Sequence, residues 1–231
     1  MHEVSVEVCF FLIGESAPAH HAFDHSDVAR LQSIARDAAG LKRFVTHLPS
    51  VPNAPFCVTQ WYFDDLELME ASLQPGNAIA TVADDIAERA SNGTLYQQAM
   101  AVRKFSTPHP HACEPRDEHC TYLVSYEGEA DNFNAWLTHY LTHHPPLMTQ
   151  LPGIRELEIY TRIDYRSGLH HARATAMQRN KVVFDDIAAL DAALASPIRT
   201  RMKADFDSFP PYSGATPHYP MRSIYGNLTR K

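Results

Sequence analysis

Long hydrophobic runs are missing from this sequence. The longest apolar stretches, such as Val8–Gly14, fall far short of the roughly 20 residues that a membrane span requires, so no membrane partner is expected. The first residues carry Glu3 and Glu7 where an export signal has Lys or Arg, and they read as a first strand. Cysteine is scarce. Cys9 and Cys57 sit in apolar, strand-like runs, and Cys113 and Cys120 in a polar stretch. Four are too few for a disulfide framework. Free thiols in a reducing cytoplasm are the expectation. Positive charge is also short: 20 Lys and Arg face 27 Asp and Glu, for a formal charge of −7. No basic stripe is evident, which argues against nucleic acid as a partner. There is no phosphate loop, no dinucleotide fingerprint and no nucleophile elbow.

What is present is an ordinary globular composition, 45% hydrophobic and 20% charged, over 231 residues. That length suits one large domain or two small ones. The chain repeats itself. "WYFDDLELMEASL" (61–73) resembles "VVFDDIAALDAAL" (182–194), and Gly40 of "AGLKRF" matches Gly153 of "PGIREL". The two registers differ by about eight residues, and "RSGLHHARAT" (166–175) reads as the insertion.

Each copy spells the same order. The first has a strand at about 3–13, a helix at 26–39, strands at 40–48 and 56–63, helices to 73 and at 78–91, and a strand at 94–105. The second has a strand at 119–126, a helix at 130–144, strands at 154–164 and 176–184, helices at 186–195 and 197–208, and a strand at 218–226. This is βαββαβ twice, the ferredoxin-like unit. The expected division is 1–107, a polar linker at 108–117, and 118–231. Helices cover one face of such a sheet, and the other face needs a partner. The first strand is apolar on both alternations, so both faces should be buried. The economical answer is an α+β protein whose two copies pack sheet to sheet, an internal pseudo-dimeric α/β barrel. A further homodimer is plausible on general grounds.

"WLTHYLTHHPPLMTQLPG" (136–153) holds three histidines before a double proline. On a helical wheel, Phe133, Trp136, Leu137, Tyr140 and Leu141 form an apolar face. His144 falls in its middle, His143 on its edge and His139 outside it. An inward histidine at a helix end has two readings. It is a buried neutral imidazole, or it is an acid–base group whose ordinary pKa suits proton transfer near neutrality. His139 and His143 are four apart, a usable metal spacing. No acid or cysteine is fixed beside them, so no metal is expected there. "HHAFDH" (20–25) is read as a helix start capped by Asp24 or Ser26. "HPHACEPRDEHC" (109–120) lacks a paired-cysteine knuckle.

The segment "FNAWLTHYLTHHPPLMTQLPGI" resembles the EthD-like family of the dimeric α/β-barrel superfamily. The matching residues are His144, Pro146 and Leu147, then Pro152-Gly153. The resemblance covers mainly 119–226. In the first copy Leu31 stands where His144 stands in the second, which implies one reactive and one degenerate half. The superfamily includes isomerases, cyclases and dehydratases, cofactor-free monooxygenases and haem enzymes. The resemblance implies a small-molecule enzyme without a dissociable cofactor, an isomerase or lyase acting on an aromatic or lactone-like substrate. The alternatives are a haem-binding oxidoreductase and a non-catalytic binding protein. The expected catalytic residues are His144, Tyr126 and Tyr160. Arg162 is the expected anion holder, and Tyr122, Trp136, Tyr225, Trp61 and His143 are the expected substrate contacts.

Overall fold

A computed structural model describes residues 6–15, 23–89, 94–109, 118–226 and 228. The first copy consists of β1 (Val8–Glu15), α1 (His25–Ala35), β2 (Leu41–Pro49), β3 (Cys57–Phe63), α2 (Leu66–Ser72), α3 (Ala78–Arg89) and β4 (Thr94–Phe105). The second consists of β5 (Glu118–Tyr126), α4 (Phe133–Met148), β6 (Glu156–Arg162), the two-residue β7 (Ala172–Arg173), β8 (Gln178–Phe184), α5 (Ile187–Leu194), α6 (Ile198–Phe206) and β9 (His218–Tyr225). Most of the expected linker, and Cys113 within it, lies outside the described residues, as does His20-His21.

The repeat is visible in its punctuation. Gly40 and Gly153 both have positive φ, 75° and 74°, where each chain turns into its second strand. That region strains any residue with a Cβ. Asp65 and Asp186 cap α2 and α5 by accepting from Leu68 N and Ala189 N. Asp24, not Ser26, caps α1, with Asp27 completing a capping box.

Within each copy the antiparallel order is the same: β4-β1-β3-β2 and β9-β5-β8-β6. The last strand of each copy then pairs with the second strand of the other, β4 with β6 and β9 with β2. Eight strands thereby close into an antiparallel barrel with helices outside, the fold the repeats pointed to. Each sheet's second face is covered by the other copy, as the two-sided burial of β1 requires. The insertion folds back onto the first copy: β7 runs parallel to β4, and Arg166 binds the Glu70 carboxylate.

Two helix C-termini differ by four residues, and the first is α1, which stops at Ala35 where the sequence places its end at 39. The sequence places the end of α4 at His144 because prolines follow; the helix continues to Met148 with Pro145 and Pro146 inside it. Proline lacks the N–H that the carbonyls of the preceding turn would accept. Burial of Pro145 and Met148 against the sheet holds the last turn, so His144 is interior to the helix.

The barrel interior is not purely apolar. Cys9, Phe11, Val45, Met100 and Met221 share it with a charged cluster. Lys181 Nζ donates to Glu156 (2.7 Å) and Glu158 (3.3 Å), and Arg43 binds the same two carboxylates. Tyr62 and Tyr160 donate to Glu158 at 2.8 and 2.5 Å, and Tyr225 donates to Glu156 at 2.8 Å. Burial alone would raise the Glu158 carboxyl; Lys181 and Arg43 outweigh it and hold the group well below the usual carboxylate range. Further along the barrel His47 lies between Ser223 Oγ (2.6 Å) and Gln60 Oε1 (2.7 Å). Burial, reinforced by the charge of Lys181, pushes the imidazole down to about 3.

Two predictions follow from the interior. Lys181→Met leaves two buried carboxylates short of a countercharge and should lose roughly 3–5 kcal/mol in urea denaturation; a loss below about 1 kcal/mol would show the cluster to be loosely held. His47 is favoured neutral in the fold, so its contribution is complete above its ordinary pKa of 6.5 and is lost as pH falls toward 3. Between pH 6.5 and 4.5, before Glu158 enters, it should add about 1.4 kcal/mol per pH unit to the slope of stability. His47→Gln should flatten that slope, and an unchanged slope would exclude His47 as the acid-sensitive group.

Candidate active site

α4 carries a four-residue spacing of Trp136, Tyr140, His144 and Met148, all buried against the sheet. That spacing keeps side chains on one helical face. Trp136 and Tyr140 are stacked with centroids 5.2 Å apart, and Tyr140 lies 5.2 Å from the His144 ring. α6 packs alongside α4, and Phe209, just past its end, closes edge-on over His144 at 5.3 Å. The decisive contact crosses the helix pair: His144 Nδ1 lies 2.7 Å from Asp205 Oδ2.

His144 is 5% exposed. Burial lowers its pKa from the ordinary value; the Asp205 contact opposes the shift without cancelling it, and the charge of Arg199 adds to it. The imidazole is therefore neutral near pH 7. A carboxylate only accepts, so Nδ1 carries the proton and donates to Asp205, leaving the Nε2 lone pair free. His218 has the same arrangement: its Nδ1 donates to the Thr216 carbonyl at 2.7 Å, and burial lowers its pKa.

His144 borders a cavity of about 210 Å³ between the helices and the outer face of the second copy's sheet. β5 lends Tyr122, Val124 and Tyr126 to its wall, and β8 lends Asn180, Val182 and Phe184. His218 from β9, and Arg199, Met202, Lys203 and Phe206 from α6, also line it. Tyr126 interacts through hydrogen bonds with Tyr140 and Asn180, and burial pushes its phenol upward, so it stays a proton donor. The cavity is thus a largely apolar chamber with two imidazoles, two phenols, an amide, a guanidinium and an ammonium on its walls.

Of the residues singled out in the sequence, the structure brings together His144, Tyr126 and Tyr122. Trp136 supports them from behind, 5.2 Å from the Tyr126 ring, without lining the cavity. The others lie elsewhere. Tyr160 points into the barrel, bonded to Glu158 and Gln60, on the opposite face of the sheet from His144. Tyr225 shares that interior. Trp61 belongs to the first copy's helix-side core, its indole donating to Thr59. Arg162 is exposed at a strand end, 3.4 Å from Glu129. His143 is exposed and faces the His139 ring at 4.6 Å. The residues that sequence reading missed are Asp205, Asn180, Arg199 and His218. Asp205 had a signal: it sits in the stripe Ile198, Met202, Asp205, Phe209, a carboxylate where the spacing calls for an apolar side chain.

Among the described residues no group of three or more His, Cys, Asp or Glu is placed to hold a metal ion, and no helix is long and apolar enough to cross a membrane. His144, backed by a carboxylate, has the form of an axial haem ligand. The cavity does not fit that group: about 210 Å³ is below the ~300–1,000 Å³ of drug-sized ligand sites, and a tetrapyrrole is larger than most drugs.

No family model and no curated protein matches the chain. Solved structures do. An anthrone oxidase-like protein aligns with a TM-score of 0.66 at 12% identity, over 97% of this chain and 94% of that one. A monooxygenase candidate from Fusobacterium nucleatum aligns with a TM-score of 0.59 at 8% identity, covering 98% and 96%. A variant chlorite dismutase from Candidatus Nitrospira defluvii aligns with a TM-score of 0.54 at 7% identity, covering 94% and 92%. At these identities the likeness is one of fold, and it extends over both copies and the closed barrel between them. The chain has the dimeric α/β-barrel fold, with both halves carried on one polypeptide.

Proposed function

We propose that this protein is a small-molecule enzyme that moves a proton with His144 as general base and Asp205 as its orienting partner. The observation that carries this is the 2.7 Å His144–Asp205 contact beside an apolar cavity. A histidine retained only for packing needs no cavity at its free nitrogen. Asp205 fixes the tautomer that presents Nε2 and stabilises the imidazolium that forms when Nε2 takes a proton. Tyr126 and Asn180 supply donors for charge developing on the substrate. Proton transfer of this kind serves isomerisation, dehydration or decarboxylation of an aromatic or lactone-like substrate.

A second reading draws support from the neighbours described as monooxygenases and anthrone oxidase-like. The same base, removing a proton from an acidified C–H or phenol, yields an electron-rich anion, and in that reading dioxygen is the co-substrate. Oxygen uptake coupled to substrate loss separates the two, and a Soret band in the purified protein would favour a haem protein over both.

Proton abstraction can be read without knowing the full reaction. Candidate aromatic and lactone compounds are incubated with the protein in deuterium oxide, and deuterium incorporation is followed by mass spectrometry. His144→Gln should slow exchange by roughly 10²–10⁴-fold, the usual scale of general acid–base catalysis. His143→Gln, altering an exposed side chain, should leave it unchanged. Exchange that persists in His144→Gln at the rate of the parent would remove His144 from the chemistry.

The pH profile should follow the buried imidazole. Because its pKa is lowered from 6.5, the base form persists into mildly acidic solution, and the acid limb of the rate should have its midpoint below 6.5. Asp205→Asn removes the opposing contact and should move that midpoint lower still while reducing the rate. A midpoint above 7 in the parent protein would contradict the assignment.

A further inference from the structure

The cavity that holds His144 also holds a cation without a countercharge. Arg199 is half-buried on the first turn of α6 and lines the cavity. The other cations on that helix are engaged: Lys203, which also lines the cavity, binds Asp207 at 2.7 Å, and Arg201 donates to Gln150 at 3.1 Å. Arg199 makes no ion pair and no side-chain hydrogen bond among the described residues. The carboxylate at the site, Asp205, is turned to His144 instead. The influence of Arg199 is nonetheless felt around the cavity, because its charge disfavours protonation of His144 and His218 and lowers the Tyr122 phenol against the effect of burial.

A guanidinium that is partly desolvated and unpaired is unfavourable, and the arrangement persists where a ligand supplies the missing charge. Its planar fork of donors suits a two-oxygen anion gripped side-on. The rest of the wall admits a compact apolar body: Val124, Leu151, Val182, Leu190 and Met202 surround it. A volume of about 210 Å³ limits that body to about a single ring.

We propose that the cavity binds a small carboxylate with an apolar, single-ring-sized body, its carboxylate paired with Arg199 and its body turned toward His144 Nε2. The proposal rests on the reading of the His144 cavity as a ligand site. It moves the anion holder from Arg162, which is exposed at a strand end, to α6.

Benzoate and phenylacetate, set against the neutral benzyl alcohol and benzamide, test it by calorimetry and by the ring-nitrogen signals of ¹⁵N-histidine-labelled protein. The carboxylates should bind at least tenfold more tightly than the neutral compounds and shift the signals of His144 and His218. Arg199→Met should erase the tenfold preference, Arg199→Lys should keep part of it, and Arg201→Met, on the same helix, should keep all of it. Equal binding of charged and neutral compounds would overturn the anion assignment while leaving the cavity a ligand site. If none of the four compounds moves the His144 signal, the anion assignment and the ligand-site reading fall together. A preference lost equally in Arg201→Met would show the general charge of α6 at work, and would also overturn the assignment. The comparison of ligands in the parent protein stands even if the Arg199 variants do not fold.

Discussion

Arg43 and Lys181, set against Glu156 and Glu158 inside the barrel, constrain everything built around them. The four charges come from both copies: Arg43 lies on β2, and the other three lie on β6 and β8. Tyr62 reaches Glu158 from the first copy, and Gln60 reaches Tyr160. Buried ions of this kind contribute little net stability, yet each partner is costly to remove alone. Their effect is on pairing. A first copy placed against another first copy would oppose two arginines without the carboxylates that receive them. The charges therefore favour the heterologous closure that the tandem chain achieves. They also fill the space between the sheets, and that leaves the outer, helix-covered faces as the places where a ligand chamber can form.

Only one of those outer faces forms the chamber described here. In the first copy Leu31 matches the position of His144 in the repeat register, and it shares an apolar core with Phe10, Phe44, Trp61 and Ile79. In the second copy the corresponding helix presents Tyr140 and His144, α6 presents Asp205, and β8 presents Asn180. Both copies close the barrel, and the second alone lends its helix-side polar groups to this chamber. The same division explains why Trp61, although aromatic and buried, takes no part in the cavity.

How much of this was legible in the sequence depends on how local each signal is. The repeat is a short-range feature, carried by the doubled Phe-Asp-Asp and the matched glycines, and in the structure those positions are helix caps at Asp65 and Asp186 and positive-φ turns at Gly40 and Gly153. The helical wheel separates His144 from His143 because helix periodicity is local too. Strand alternation says which side chains share a face, but not which face looks inward to the barrel and which outward to the helices. Tyr122 and Tyr126 on β5 face the cavity, whereas Tyr160 on β6 and Tyr225 on β9 face the interior, and nothing in the alternation of the three strands marks that difference. Asp205 is 61 residues from His144, so their contact depends on how α6 lies against α4. The length of α4 failed for a physical reason: proline disfavours a helix, and burial of its last turn overrode that preference.

Two histidines border the cavity in the same tautomer, and on the proposed reading the difference between them separates their roles. Each donates from Nδ1 and presents Nε2, and burial disfavours the charged form of both. A base must nevertheless carry a positive charge for the lifetime of the intermediate. For His144 that charge forms against a carboxylate already in contact through the opposite nitrogen, so the charge is matched as it appears. For His218 the partner is the Thr216 carbonyl, a dipole with no net charge, while Arg199 opposes the cation at both rings. The proposal therefore gives the proton to His144 and leaves His218 a neutral acceptor for a hydroxyl. On the proposed reading, Asp205 holds the tautomer that presents Nε2 and matches the charge that forms when that nitrogen takes a proton.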